Sequence, residues 1–247
     1  MRERDESQPK GSTCFVETDL LLWWEDFYLP VFEYVLPKMG ALEGKKVLEL
    51  GTGTGGTATL LAKQGASVVG IDLLPFRLDE AKERVNQHKV ANAVDFSLMD
   101  ATQLAFPDNT FDFIISKSVL VFTEHKQTAK ECYRVLKPGG KTIFMENMRN
   151  HPMVWLYRKL FLKYSRELHY FTLHDIEAIG KEFEEMEHRE FHLFSLGALF
   201  WKRIIPIPIF YRWTLQVLRL IDRSLLRMFP ILKRFCWITA MICHKKP

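Results

Sequence analysis

The chain has 247 residues, 47% of them hydrophobic and 26% charged, with 34 Lys and Arg against 30 Asp and Glu for a formal charge of +4. That composition is globular and the length suffices for a large core. The cysteines Cys14, Cys132, Cys236 and Cys243 form no CxxC pair and have no histidine at metal-ligand spacing, which speaks against a disulfide framework or a zinc site and for a reducing compartment.

The opening MRERDESQPK has no apolar stretch behind it, so residues 1–12 read as a disordered arm and not as a secretory signal. Residues 13–247 read as one domain, with a core over 40–150 and a cap plus the last strands over 151–247. The longest mainly apolar stretches free of charge, Phe191 to Trp201 and Phe235 to Cys243, are shorter than the ~18 residues a membrane span needs.

From Lys45 to Asn147 short β-rich runs alternate with helical stretches, the pattern of a parallel sheet with crossover helices. KKVLEL is the first strand, followed by ASVVGID, AVDFSLMD, FDFIIS and KTIFMEN. Helices are expected over Gly56 to Gln64, over Pro75 to Lys89 with Pro75 at a first turn, and over Glu124 to Leu136. Lys137-Pro138-Gly139-Gly140 reads as a stop followed by a tight turn. Beyond the fifth strand, helices are expected over Pro152 to Tyr164 and from Thr172, a candidate N-cap. Glu185 to Phe194 reads as a sixth strand, 197–229 as helix broken by Pro206 and Pro208, and Phe235 to His244 as a last buried strand.

Leu48-Glu49-Leu50-Gly51-Thr52-Gly53-Thr54-Gly55-Gly56 stands where the first strand turns into the first helix, the place where doubly wound sheets bind nucleotides. Free N–H groups at the helix end favour an anion there. The spacing satisfies both GxGxG and the dinucleotide pattern GxGxxG, so alone it is a weak signal, and a glycine turn kept for packing is the plain rival. Asp72 ends the second strand 21 residues after Gly51, where a carboxylate can accept from both hydroxyls of a ribose. Asp100 follows the third strand over the same crevice, and Glu49 lies beneath the loop. Three acids repel pyrophosphate and suit a ligand bearing ammonium and sulfonium charges.

VLELGTGTGG, VVGID, LMDATQLAFPDNTFDFIISKSVL and ECYRVLKPGGKTIFME, in this order, resemble the class I S-adenosylmethionine-dependent methyltransferases, in particular the small-molecule branch related to quinone-biosynthesis enzymes. The resemblance spans roughly residues 20–147. It implies a Rossmann-like, doubly wound, seven-stranded, mostly parallel sheet with an antiparallel last strand and a C-terminal helical cap. It also implies that Glu49, Gly51, Thr52, Gly53 and Gly55 hold the methionine end of the cofactor, Asp72 and Leu73 the ribose, and Asp100 and Ala101 the adenine. Ser116 or Lys117 would form the wall beside the sulfonium. Trp23, Trp24 and Tyr28 are the candidates for an aromatic that closes over the cofactor, against ordinary burial of aromatic area.

Methyl transfer needs an in-line nucleophile in a dry site, and positioning supplies most of the rate. A general base would serve a hydroxyl or amine acceptor, and Glu146, at the end of the fifth strand, is the first candidate, followed by His151, His125 and His169. A carboxylate satisfied by a helix end is the rival reading of Glu146. The Asp/Asn/Ser-Pro-Pro-aromatic motif of enzymes that methylate base amines is replaced by Ser116-Lys117-Ser118-Val119, and no cysteine cluster like that of the arsenite-methylating relatives is present. With a net acidic domain around the crevice, a nucleic-acid partner is not expected.

The charge is unevenly shared: residues 1–193 hold 24 basic and 29 acidic side chains, net −5, and residues 194–247 hold 10 and 1, net +9. Arg212, Arg219, Arg223 and Arg227 are spaced 7, 4 and 4 apart, on one helix face beside aromatic and leucine residues. Such a helix predicts peripheral membrane contact, against a solvated face on a packed cap. The expectation is therefore S-adenosylmethionine-dependent O-, N- or C-methylation of a small, hydrophobic or lipid-linked acceptor, in the cytoplasm or at the inner face of a membrane. Its rivals are a NAD(P)-dependent oxidoreductase and a non-catalytic membrane-associated binding protein of the same fold.

Overall fold

The computed structural model describes residues 25–161, 168–198 and 208–247. Seven strands form one sheet in the order β3-β2-β1-β4-β5-β7-β6, from β1 (Lys46–Leu50), β2 (Ser67–Asp72), β3 (Val94–Leu98), β4 (Phe111–Lys117), β5 (Leu136–Asn147), β6 (Glu185–Phe191) and β7 (Ile238–His244). β7 runs antiparallel to both β5 and β6, and all other pairings are parallel. The doubly wound sheet with an antiparallel last strand is thus as expected.

Successive residues of the central strands face opposite layers, which is why their sequences read as unbroken apolar runs. Val47, Val68, Ile115 and Ile143 pack on one side with α1 (Leu29–Met39) and α2 (Gly56–Lys63). Leu48, Leu50, Ile114 and Phe144 pack on the other with α4 (His125–Val135) and α6 (Leu173–Gly180). Between α2 and α4 lies α3 (Pro75–Gln87), and α5 (Pro152–Phe161) and α7 (Pro208–Met228) complete the α-helices of the described residues.

The differences from expectation are local. α1, which buries Val31, Phe32, Val35 and Leu36, escaped the reading because Pro30 and Pro37 interrupt its helical look. Pro30 sits harmlessly in the first turn, and Pro37 lies in the last. Lys137-Pro138-Gly139-Gly140 is not a free turn but the bulged start of β5, where the register against β4 shifts between Phe111 and Phe113. A Cβ on Gly140 would stand 2.8 Å from the Asp112 carbonyl oxygen, so only glycine fits. β6 ends at Phe191, because His192 takes a φ of +64° and leaves the sheet. β7 starts at Ile238, after a 3-10 turn over Pro230–Phe235. Thr172 is the N-cap of α6 and forms a capping box with Asp175. The arm over 1–12, Cys14, Pro206 and the far end of the helix expected over 152–164 lie outside the described residues.

α7 is joined to the sheet by the one acid of the basic tail. Asp222, buried, accepts from the backbone N–H groups of Leu193 (3.1 Å), Phe194 (2.8 Å) and Ser195 (3.1 Å). The four arginines do not share a solvent face. Arg212, Arg223 and Arg227 are exposed, but Arg219 turns inward to Glu33 of α1 (3.5 Å), one turn from Asp222 and on its side of the helix.

Candidate functional site

The strand order reverses about β1, whose neighbours β2 and β4 open a crevice at their carboxyl ends. The glycine loop lines it, and its glycines differ in purpose. A Cβ on Gly51 would lie 2.3 Å from Val119 Cγ2, and one on Gly55 2.9 Å from Ala81 Cβ, so these two serve close packing. Gly53, at φ +52°, would meet nothing nearer than a carbonyl oxygen at 4.0 Å. Its backbone is held open to the crevice with no packing reason for glycine beyond its φ.

Asp72 braces that loop: Gly53 N–H donates to its Oδ2 (2.9 Å) and Leu74 N–H to its Oδ1 (3.0 Å). Leu73 beside it is 59% exposed, an apolar side chain at the rim. Across β3, Asp100 Oδ1 accepts from both the backbone and the hydroxyl of Thr102, at 2.8 Å each, which fixes the carboxylate at the strand end; Ala101 is buried behind it.

Glu49 is buried beneath the loop and accepts from Thr52 Oγ1 at 2.6 Å. Burial pushes its pKa up to about 7, against the lowering pull of the Thr52 bond, of Lys117 and of the start of α2 at Thr57 and Ala58.

The end of β4 supplies the facing wall. Ser116 is fully buried and donates to Glu146 (3.3 Å), so it stands behind the crevice. The wall itself is Ser118, at φ +57°, whose hydroxyl takes a short hydrogen bond with Tyr28 and accepts from Asn147 Nδ2 at 2.8 Å. Lys117 Nζ lies 5.6 Å from the centre of the Tyr28 ring. Tyr28 is therefore beside the crevice, joined to it by hydrogen bonding as well as by packing; Trp23 and Trp24 lie outside the described residues. Ser118 and Asn147 were missed by sequence reasoning. Asn147, polar at the carboxyl end of a buried strand, carried a signal; the left-handed turn at Ser118 carried none.

The four candidate bases do not share one set of surroundings. Glu146 is fully buried, and its Oε1 accepts from the N–H groups of Val119 (3.2 Å) and Leu120 (3.1 Å) as well as from Ser116. Burial pushes its pKa up to about 8. His151 is buried and bonds the Leu193 carbonyl through Nε2 (3.1 Å), pinning the start of α5 to the exit of β6. Burial also lowers its pKa. His125 and His169 stand together at the head of α4, beside Asp175.

Comparison with known proteins fits this geometry. Residues 48–144 match the family described as "Methyltransferase domain". A demethylmenaquinone methyltransferase of Paenarthrobacter aurescens is 36% identical over 131 residues, 53% of this chain and 49% of that protein. A sterol 24-C-methyltransferase of Gibberella zeae is 34% identical over 124 residues, 47% of this chain and 32% of that one. The match with these two relatives thus spans a third to a half of their length. Among solved structures, phosphoethanolamine N-methyltransferase 2 of Haemonchus contortus in complex with S-adenosyl-L-methionine superposes with a TM-score of 0.64 at 23% identity, over 86% of this chain and 51% of that one. That likeness concerns the fold. The segment that matches the methyltransferase family runs from β1 into β5.

Proposed function

We propose that the chain transfers a methyl group from S-adenosylmethionine to a small, hydrophobic or lipid-linked acceptor. One observation carries the reading: Gly53 leaves open space above a left-handed backbone, with the carboxylates of Glu49, Asp72 and Asp100 set around the same crevice. Fixed negative charge there favours a ligand with ammonium and sulfonium groups over a pyrophosphate. The bound cofactor supplies an activated methyl group on sulfur. The chain's own residues bind and align. The loop N–H groups and Glu49 take the amino-acid end, Asp72 with Leu73 the ribose, and Asp100 with Ala101 the adenine. Tyr28, Ser118 and Asn147 form the wall facing the acceptor. In this reading Glu146 holds the loop after β4 in place, so its buried carboxyl is a positioning group.

The acceptor class rests on the surface beyond β5. α5 exposes Trp155, Leu156, Tyr157, Leu160 and Phe161, and α7 exposes Trp213 and Leu220 beside Arg212, Arg223 and Arg227. Apolar and cationic side chains together suit an anionic bilayer surface, and the relatives named for sterol and demethylmenaquinone act on apolar molecules. No helix among the described residues is long and apolar enough to cross a membrane. We place the chain in the cytoplasm, against the inner face of a membrane.

Calorimetric titration with S-adenosylmethionine and with NADH tests the cofactor, and binding of NADH alone overturns the reading. Incubation of lipid extract with isotopically labelled methyl donor, followed by mass spectrometry, tests the acceptor; label confined to water-soluble products refutes the lipid class. Co-sedimentation with anionic vesicles should be lost in an Arg212→Glu/Arg223→Glu/Arg227→Glu variant, and retention equal to wild type would remove the membrane contact.

A further inference from the structure

His125 is the first residue of α4, and His169 and Asp175 belong to the segment that leads into and through the first turn of α6. Separated in sequence by 44 and 6 residues, the three each offer a ligand atom within 4.8 Å of the other two. His169 Nε2 is 3.3 Å from Asp175 Oδ1. The rings of His125 and His169 meet edge to face with centroids 4.4 Å apart, and Phe171 stacks on His125 at 4.4 Å. A cavity of about 290 Å³ opens onto the cluster.

His125 is the informative member. It is only 9% exposed, and its Nε2 is buried without a hydrogen-bond partner. An orphaned buried polar atom is costly and calls for a reason. An imidazole nitrogen with no hydrogen-bond partner can offer its lone pair to a metal ion.

Asp175 is oriented by hydrogen bonds of its own. Its Oδ2 accepts from Thr172 N–H (2.8 Å) and Thr172 Oγ1 (2.7 Å), so the carboxylate is fixed while Oδ1 faces the histidines. Two imidazoles and one carboxylate oxygen suit zinc and similar transition-metal dications better than calcium or magnesium, which prefer oxygen ligands. Bond lengths of ~2.0–2.2 Å in a tetrahedral site set ligand atoms about 3.4 Å apart. The His169–Asp175 pair already has that spacing, and His169 is the exposed member.

We propose that His125, His169 and Asp175 bind a zinc-type dication, with a fourth position open to water through the cavity. Among the described residues, this is the one group of three metal-ligating side chains so gathered. The backbone N–H of His169 donates to the Val121 carbonyl (3.2 Å), so an ion here would tie the segment before α6 to the loop after β4.

Chelator-stripped protein titrated with Co²⁺ and with Zn²⁺ tests this. The expected result is one equivalent bound, an intense visible Co²⁺ spectrum of the four-coordinate type, and a zinc-dependent rise in melting temperature. His169→Gln, at an exposed position that leaves the packing intact, and His125→Gln should each weaken binding by more than ~10-fold and abolish the melting shift. His174→Gln, at an exposed neighbour outside the cluster, should leave both unchanged. A His169→Gln variant that binds as wild type, or a His174→Gln variant that loses as much, overturns the proposal and marks the metal as adventitious.

Discussion

Around Gly53 the polar contacts are short in sequence: Thr52 to Glu49 spans 3 residues, Thr102 to Asp100 2, and Gly53 to Asp72 19. Across the crevice they are long. Tyr28 meets Ser118 over 90 residues, Asn147 meets Ser118 over 29, and His192 reaches the Phe27 carbonyl over 165. The first region is a local motif placed on a sheet; the second is assembled only when distant segments dock. Damage to the open face of the loop, at Gly53, should therefore remove the ligand and spare the fold, whereas damage to the far side should loosen the fold and spare the ligand.

The largest effect expected is at the loop. Gly53→Arg fills the open space with a long cation beside the carboxylates, and we expect cofactor affinity to fall by more than ~100-fold, about 2.7 kcal/mol or more. The melting temperature should drop only modestly, by the strain of a side chain at positive φ. Gly51→Ala is the counterpart: its Cβ would stand 2.3 Å from Val119 Cγ2, so the loss should show first in stability, by ~1–3 kcal/mol. Calorimetry and thermal melts on both variants check the contrast, and equal loss of stability in the two would erase it.

Next comes the far side. Asp222→Ala leaves the N–H groups of Leu193, Phe194 and Ser195 without their shared acceptor, a loss on the order of 3 kcal/mol. Cofactor affinity should stay within about twofold, as the sites share no contacts. Urea unfolding and calorimetry measure the two sides; a stable variant with weak cofactor binding would reverse the assignment.

The same contrast explains what could be read beforehand. The glycine loop, Asp72 and Asp100 were visible because strand, turn and acid follow one another along the chain, and the apolar runs of β1 to β5 announce a sheet buried on both faces. The inward turn of Arg219 was not visible, since helical spacing places it with Arg212, Arg223 and Arg227, and only docking on α1 and β6 separates it. Ser118, held in a left-handed turn between Tyr28 and Asn147, has no local signature. The gathering of His125 with His169 depends on α4 packing against the segment that enters α6. Glu146 was correctly placed at the end of its strand, but its direction, toward the N–H groups of Val119 and Leu120, depends on how the chain leaves β4.

A pH-dependent effect separates what Glu49 does for the ligand from what it costs the fold. Its carboxyl titrates near 7 because it is buried, so in the free protein it is mostly protonated at pH 6 and mostly ionised at pH 8. A ligand bearing an ammonium or sulfonium prefers the ionised form, so affinity should climb with pH up to about 7 and flatten above, by at most ~10-fold per pH unit. Glu49→Gln should bind ~10-fold more weakly at pH 8, about 1.4 kcal/mol, with a flat profile. Stability must move the other way. A carboxyl whose folded pKa lies above its unfolded value near 4.5 binds its proton more tightly when folded, so its ionisation opposes folding as pH rises from 4.5 through 7. The full span is on the order of 3 kcal/mol for a shift of this size. Free Glu49→Gln should accordingly melt above free wild type at pH 8, with the gap closing toward pH 4.5. Melts and titrations across pH 5–8 on the pair decide it: a variant that binds more weakly and is no more stable would mean that the carboxylate is not held in the buried, uncompensated state that a cationic ligand relieves.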